Sequence, residues 1–131
     1  MSSIQNPRIS MFILMQNDLD KAIEFYTNLG FSLNFHIPQQ WAEFSTENIK
    51  LGLAYTDIDL PERRTGIVLE VDDLKSWCNQ VVERGITCSE PVEQVHGVMS
   101  SITDPGNNIL ELYQPTPEKM EEAIKKHEEK K

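Results

Sequence analysis

The chain has 131 residues, with 12 Lys and Arg against 21 Asp and Glu, a formal net charge of −9, and 39% hydrophobic residues. That length suits one domain burying roughly two-thirds of its unfolded surface, while the acidity excludes phosphate-backbone binding, which relies on clustered Lys and Arg. No apolar run approaches the roughly 20 residues of a bilayer span, so neither nucleic acid nor membrane is an expected partner, and the acidity itself serves solubility. Cys78 and Cys88 lack metal-ligand spacing, and no N-terminal stretch combines a basic region, an apolar run and a cleavage site. The expected location is therefore a reducing cytoplasm.

Arg8 to Gln16 is apolar and rich in strand formers, and Asn17-Asp18 then offers a helix N-cap. Leu19, Ala22, Ile23, Tyr26 and Leu29 fall on one helical face, and Gly30 can take the left-handed C-terminal conformation. Phe31 to His36, Trp41 to Thr46 and Ile49 to Tyr55 read as three short strands separated by Pro38-Gln39-Gln40 and Glu47-Asn48. A polar linker, Thr56 to Arg64, precedes a strand at Gly66 to Val71 and a helix capped by Asp73, with Leu74, Trp77, Cys78, Val81 and Val82 on its apolar face and Gly85 at its end.

Strands are expected next at Ile86 to Ser89, Val95 to Thr103 and Asn108 to Tyr113, the last two joined by Asp104-Pro105-Gly106-Asn107. Pro115 and Pro117 stop the strand, and Glu118 to Lys131 is a charged, helix-prone tail with Met120 and Ile124 spaced to pin it. The order βαβββ thus occurs twice. Asp18-Leu19 and Gly30 return as Asp73-Leu74 and Gly85, each 55 positions later, which points to a duplicated supersecondary unit.

The phrases Asn17-Asp18-Leu19-Asp20-Lys21-Ala22, Phe25-Tyr26, Leu29-Gly30-Phe31, Val71-Asp72-Asp73-Leu74 and Asp104-Pro105-Gly106-Asn107-Asn108-Ile109-Leu110-Glu111-Leu112 carry a family resemblance. Over about residues 8 to 115 the chain resembles the vicinal oxygen chelate superfamily of glyoxalases, extradiol dioxygenases and bleomycin-resistance proteins. The resemblance implies an α+β fold: two tandem βαβββ modules, about residues 8–55 and 65–115, form curled mixed sheets around a ligand cavity in one domain spanning residues 1–115. Residues 116–131 are the charged C-terminal helix or tail. A homodimer is also implied, with modules paired within or between chains.

In metal-dependent members, donors near the start of each module's first strand and in its last strand converge on a divalent ion. Counting back seven residues from the Asp of each Asp-Leu pair gives Met11 and Gly66; the centres of Leu51-Gly52-Leu53 and Leu110-Glu111-Leu112 give Gly52 and Glu111. Only Glu111 can ligate a hard or borderline cation, whereas a catalytic site needs about three protein ligands. No metal or other cofactor is expected. His36 and His96 are the histidines that could replace lost ligands, although a lone histidine in such a position is ordinarily a surface or rim residue.

Strand alternation then predicts what lines the cavity. Met11 brings Ile13 and Met15 to the cavity side, Gly66 brings Val68 and Glu70, Gly52 brings Lys50 and Ala54, and Glu111 brings Ile109 and Tyr113. The middle strands add Trp41 and Glu43, and Met99 and Ser101, while Leu51, Leu53, Leu110 and Leu112 supply core. The candidate ligand-binding set is Met11, Ile13, Trp41, Glu43, Lys50, Val68, Glu70, Met99, Ser101, Glu111 and Tyr113. An apolar, aromatic wall with a few charges suits a binding pocket, and a carboxylate beside Trp41 or Tyr113 suits a cationic or aromatic ligand. Alternatively, Glu111 and Lys50 form an internal ion pair, Glu70 reaches solvent, and the methionines only fill the core.

Glu70 or Glu111 could serve as a general base if desolvated, but no Ser-His-Asp or Cys-His signature is present, and Cys88 lacks an evident activating neighbour. The expected function is therefore metal-independent binding of a small molecule, of the glyoxalase/bleomycin-resistance type, with enzymatic activity not expected. The alternatives are a glyoxalase-like lyase or dioxygenase using shifted ligands, and a structural or regulatory module whose cavity is vestigial.

Overall fold

The computed structural model describes residues 4–129. The chain forms two compact units that divide between Leu60 and Pro61. The first contains β1 (Met11–Gln16), α1 (Leu19–Leu29), β2 (Ser32–Ile37), β3 (Trp41–Ser45) and β4 (Lys50–Tyr55). Its sheet has the order β1-β4-β3-β2, with β1 parallel to β4 and the remaining pairs antiparallel.

The repeated Asp-Leu is explained by helix capping. Asp18 is extended, and its carboxylate accepts the Lys21 N–H at 3.1 Å, satisfying one of the donors a helix start leaves free. At the other end Gly30 adopts φ +110°, and the Phe31 N–H returns to the Tyr26 carbonyl. Between the caps, Leu19, Ala22, Tyr26 and Leu29 are buried, and the Tyr26 ring lies 6.1 Å from that of Phe44. Ala42, Phe44, Leu51 and Leu53 form the sheet side of this core, as alternation requires. Leu53 has no exposed surface; truncating it to Ala would cost about 2–5 kcal/mol.

The second unit contains β5 (Arg63–Glu70), α2 (Leu74–Val82), β6 (Val92–Gln94), β7 (Gly97–Thr103), β8 (Asn108–Pro115) and α3 (Pro117–Glu129). Its sheet order, β5-β8-β7-β6, repeats that of the first, with β5 parallel to β8. Asp73 caps α2 by accepting the Ser76 N–H at 3.1 Å; Gly85 has φ +86°, and the Ile86 N–H returns to the Val81 carbonyl. The 55-residue repeat is thus a repeat of helix start, helix end and chain reversal. The two sheets and three helices, among the described residues, make an α+β fold of tandem βαβββ modules.

Several boundaries differ from expectation, most by a residue or two at strand ends and the following by more. Ile86 to Ser89 is not a strand, although the Ser89 N–H bonds the Ser101 carbonyl; the short β6 is Val92–Gln94, and β7 starts at Gly97 because residues 95 and 96 turn. β5 starts at Arg63, inside the expected linker. Its register slips between Arg64 and Val68, where Gly66 takes φ +79°, so Gly66 sits in a bulge and does not belong to the regular alternation. α2 ends at Val82, which is 54% exposed; the Arg84 and Gly85 N–H groups reach back only three residues, tightening the last turn.

Strand β8 runs through Pro115, and Pro117 opens α3, a first-turn position where its missing N–H costs nothing. Met120 and Ile124, expected to pin the tail to the body or to a partner, remain 40% and 50% exposed. The Asp104 turn is tightly specified: its buried carboxylate accepts the N–H groups of Gly106 and Asn108 and the Asn108 side-chain amide, setting β8 in register with β7.

Candidate functional site

Each sheet has one face against its helix and one open face. In the first unit, paired residues share a face, so register defines the open one: Met11 lies opposite Lys50, Ile13 opposite Gly52, Gly52 opposite Glu43, and Ala54 opposite Trp41. All five expected residues of this module, Met11, Ile13, Trp41, Glu43 and Lys50, are therefore on one side.

Gly52 explains the position of Trp41. A side chain at Gly52 would overlap the edge of the indole, coming 2.6 Å from Cζ2 and 3.2 Å from Met11 Sδ. The glycine thus leaves a seat across the strand that the benzo edge of the Trp41 ring fills. Beside it, Glu43 is only 12% exposed, accepts from Asn34 Nδ2 at 3.2 Å, and faces Lys50 Nζ at 3.9 Å. Lys50 is over half exposed, so this pair contributes at most about 1 kcal/mol and leaves the carboxylate open to a competing cation.

Asn34 and Phe35 were not among the expected residues. The register slips between Leu33 and Phe35, and this irregularity puts Asn34 within reach of Glu43 while Phe35 pairs with Glu43 directly. Phe35 and Ile37 are 47% and 45% exposed on the same face as Trp41 and Glu43. A bulge has no reliable composition signal here; the apolar-polar alternation of Leu33-Asn34-Phe35 suggested a regular strand.

In the second unit, Val68, Glu111 and Ser101 form one cross-strand row, and Glu70, Tyr113, Met99 and Val92 form the next. All six expected residues of this module share the open face. Glu111 is 19% exposed, and its Oε1 lies 3.6 Å from Arg64 Nε. Tyr113 is fixed from above: its hydroxyl donates to the His96 carbonyl at 3.0 Å and lies 3.1 Å from His96 Nδ1, with the rings 5.3 Å apart edge to face. Gly97 permits this, since a Cβ there would lie 2.9 Å from Tyr113 Cε1 and overlap the Gln114 carbonyl.

Several expectations are corrected by these contacts. Within its own unit Lys50 pairs with Glu43, and within its own Glu111 pairs with Arg64. Arg64, assigned to the linker, is on the open face because the β5 bulge restores it to the row of Ile109. His36 pairs with Ala42 and so points to the side opposite Glu43, while His96 is engaged by Tyr113. Met11, Gly52, Gly66 and Glu111 supply one carboxylate among them, and no group of three His, Cys, Asp or Glu positioned to hold a metal ion occurs among the described residues. The donor set does not fit the divalent ion held by metal-dependent members of the fold.

The same architecture occurs in solved proteins. TnmS3, an antibiotic binding protein from Streptomyces sp. CB03234, is 25% identical with a TM-score of 0.69, the match covering 87% of this chain and all of that one. A bleomycin-binding protein, solved with bleomycin bound, is 22% identical with a TM-score of 0.65, covering 85% of this chain and all of its own. An uncharacterised protein of Mycolicibacterium smegmatis is 28% identical over 109 residues, 82% of this chain and 93% of that protein. Residues 8–112, from the approach to β1 to the buried Leu112 of β8, match the sequence profile of one family. With that match spanning both βαβββ modules, the chain belongs to the Glyoxalase/Bleomycin resistance protein/Dioxygenase superfamily.

Proposed function

We propose that this protein is a metal-independent small-molecule binder that holds a cationic or aromatic compound against the open face of its first sheet, and that it works as a cytoplasmic homodimer. The observation that carries this reading is the Trp41 indole seated against Gly52 beside the largely buried Glu43 carboxylate. An indole ring offers stacking and cation–π attraction, and a carboxylate shielded from water strengthens a charge-assisted hydrogen bond from an amine or guanidinium. The relatives support the direction: one is an antibiotic binding protein and another was solved with bleomycin. The homodimer accords with the exposed apolar residues of the first sheet, Phe12, Ile13, Leu33, Phe35 and Ile37, each 38% to 55% accessible.

Thermal-shift and calorimetric titration with bleomycin-type cationic glycopeptides and planar aromatic amines test the proposal. A ligand at 100 times its Kd should stabilise the protein by about 2.7 kcal/mol. Glu43→Gln should weaken a cationic ligand by about 1.5–3 kcal/mol, as for a hydrogen bond to a charged group. Absence of stabilisation across these compounds would refute the reading. So would stoichiometric Ni, Zn, Fe or Mn in gently purified protein together with turnover of a 2-oxoaldehyde adduct.

A further inference from the structure

We propose that Cys78 and Cys88 are a modification site, closing into an intramolecular disulfide when the protein meets a small hydroperoxide. The chain contains only these two cysteines, and both are free and half-buried. They line one surface groove of about 520 Å³ together with Val82, Ser89 and Pro91. Sequence spacing gave no hint of the contact, because it depends on the chain reversing at Gly85.

The backbone on each side of the pair is anchored. Cys78 is in the middle of α2, whose Val81 and Leu74 are buried. Cys88 lies between Ile86, which is buried and bonded through its N–H to Val81, and Ser89, which is tied to β7. The Ser89 N–H donates to the Ser101 carbonyl, the Ser101 N–H donates to Ser89 Oγ, and Ser100 Oγ donates to the Ser89 carbonyl. Both flanks are thus anchored, and the Ile86 N–H bond to the Val81 carbonyl turns the chain carrying Cys88 back toward the helix that carries Cys78.

Burial, followed by the neighbouring Cys78, pushes the Cys88 thiol up to about 12. One cysteine sulfur attacks the O–O bond of hydrogen peroxide; an S–O bond forms, the O–O bond breaks, and the departing hydroxide takes the thiol proton to become water. The other sulfur then attacks the sulfenic acid. An S–S bond forms, the S–O bond breaks, and hydroxide leaves with the second thiol proton as the second water. Two thiols lose two electrons in all, and one peroxide is reduced to two waters. The link would close residues 78–88 and stiffen the segment that braces Ser101, an open-face residue of β7.

The test uses the folded wild-type protein and one equivalent of hydrogen peroxide. Both titratable thiols should disappear together, with an intact mass lower by two hydrogens and full recovery on adding dithiothreitol. Arg84 lies between the cysteines, so trypsin separates their peptides unless the disulfide joins them; a linked pair is the expected product. Independent loss of one thiol, sulfinic or sulfonic acid at either cysteine, interchain dimers, or persistence of both thiols would overturn the proposal.

Discussion

Replacing Gly52 by Ala separates the role of the Trp41 seat from general stability. The new methyl would overlap the indole edge and lie 2.6 Å from Cζ2 and 3.2 Å from Met11 Sδ, against a comfortable carbon–carbon distance of about 3.5–4.0 Å. Something must move. The obstruction is the far end of a partly exposed side chain rather than backbone, so the ring should swing out of its seat at the lower end of the overpacking cost, about 1 kcal/mol. Removing a glycine from a strand interior offsets about 0.5–1 kcal/mol of that. Net stability should therefore change by less than about 1 kcal/mol, while a ligand stacked on Trp41 loses about 0.5–2 kcal/mol, or roughly two- to thirtyfold in Kd.

The assay is tryptophan fluorescence with acrylamide quenching in a Trp77→Phe background, which leaves Trp41 as the one indole. Urea denaturation of the same variants supplies the stability arm. A red-shifted, more readily quenched Trp41 with a nearly unchanged denaturation midpoint is expected. Unchanged emission and quenching would show that the indole does not occupy the space above Gly52, and a loss above about 3 kcal/mol would show that the ring cannot yield; either result refutes the reasoning.

Gly97→Ala should behave differently, because there the added carbon meets the backbone carbonyl of Gln114, which cannot rotate away; a loss of about 2–3 kcal/mol in urea denaturation is expected. Lys50→Met removes the cation beside Glu43 and should tighten binding of a cationic ligand several-fold by calorimetry, with little effect on a neutral aromatic one. For Cys88, the folded value of about 12 exceeds the ordinary thiol value of 9.0, so the folded state retains a proton that the unfolded chain releases first. That contribution is fully present below pH 9.0 and is lost as pH rises through about 12, so denaturation midpoints should decline over that interval. Cys78→Ser removes the hydrogen bond and charge that add to burial at Cys88; alkylation of Cys88 by iodoacetamide should then accelerate.

The duplicated architecture was legible because its signals are local. Asp18 and Asp73 cap the helix that follows, Gly30 and Gly85 end each helical segment in a left-handed conformation, and period-two alternation around Leu51, Leu53, Leu110 and Leu112 identifies the core face. Once core is assigned, the opposite face follows, which is why Met11, Ile13, Trp41, Glu43 and Lys50 share one surface and Val68, Glu70, Met99, Ser101, Glu111 and Tyr113 another. The poverty of metal donors at Met11, Gly52 and Gly66 was equally readable, since residue identity alone decides it.

Where alternation breaks, only the tertiary structure decides. The irregularity at Leu33 to Phe35 brings Asn34 to Glu43, and the bulge around Gly66 brings Arg64 to Glu111; one extra residue in the first case and two in the second change which side chains meet without changing the composition of the strand. Partners distant in sequence were also beyond reach: Tyr113 with His96, Trp41 over Gly52, and Cys78 beside Cys88 each depend on where a turn returns the chain. By itself the sequence determined the repeat, its caps, its core and the chemistry available at each position, because these follow from nearest neighbours and periodicity. The tertiary structure decided which of those groups touch, because contact depends on register and chain reversal, and a one-residue shift in either redirects every side chain beyond it.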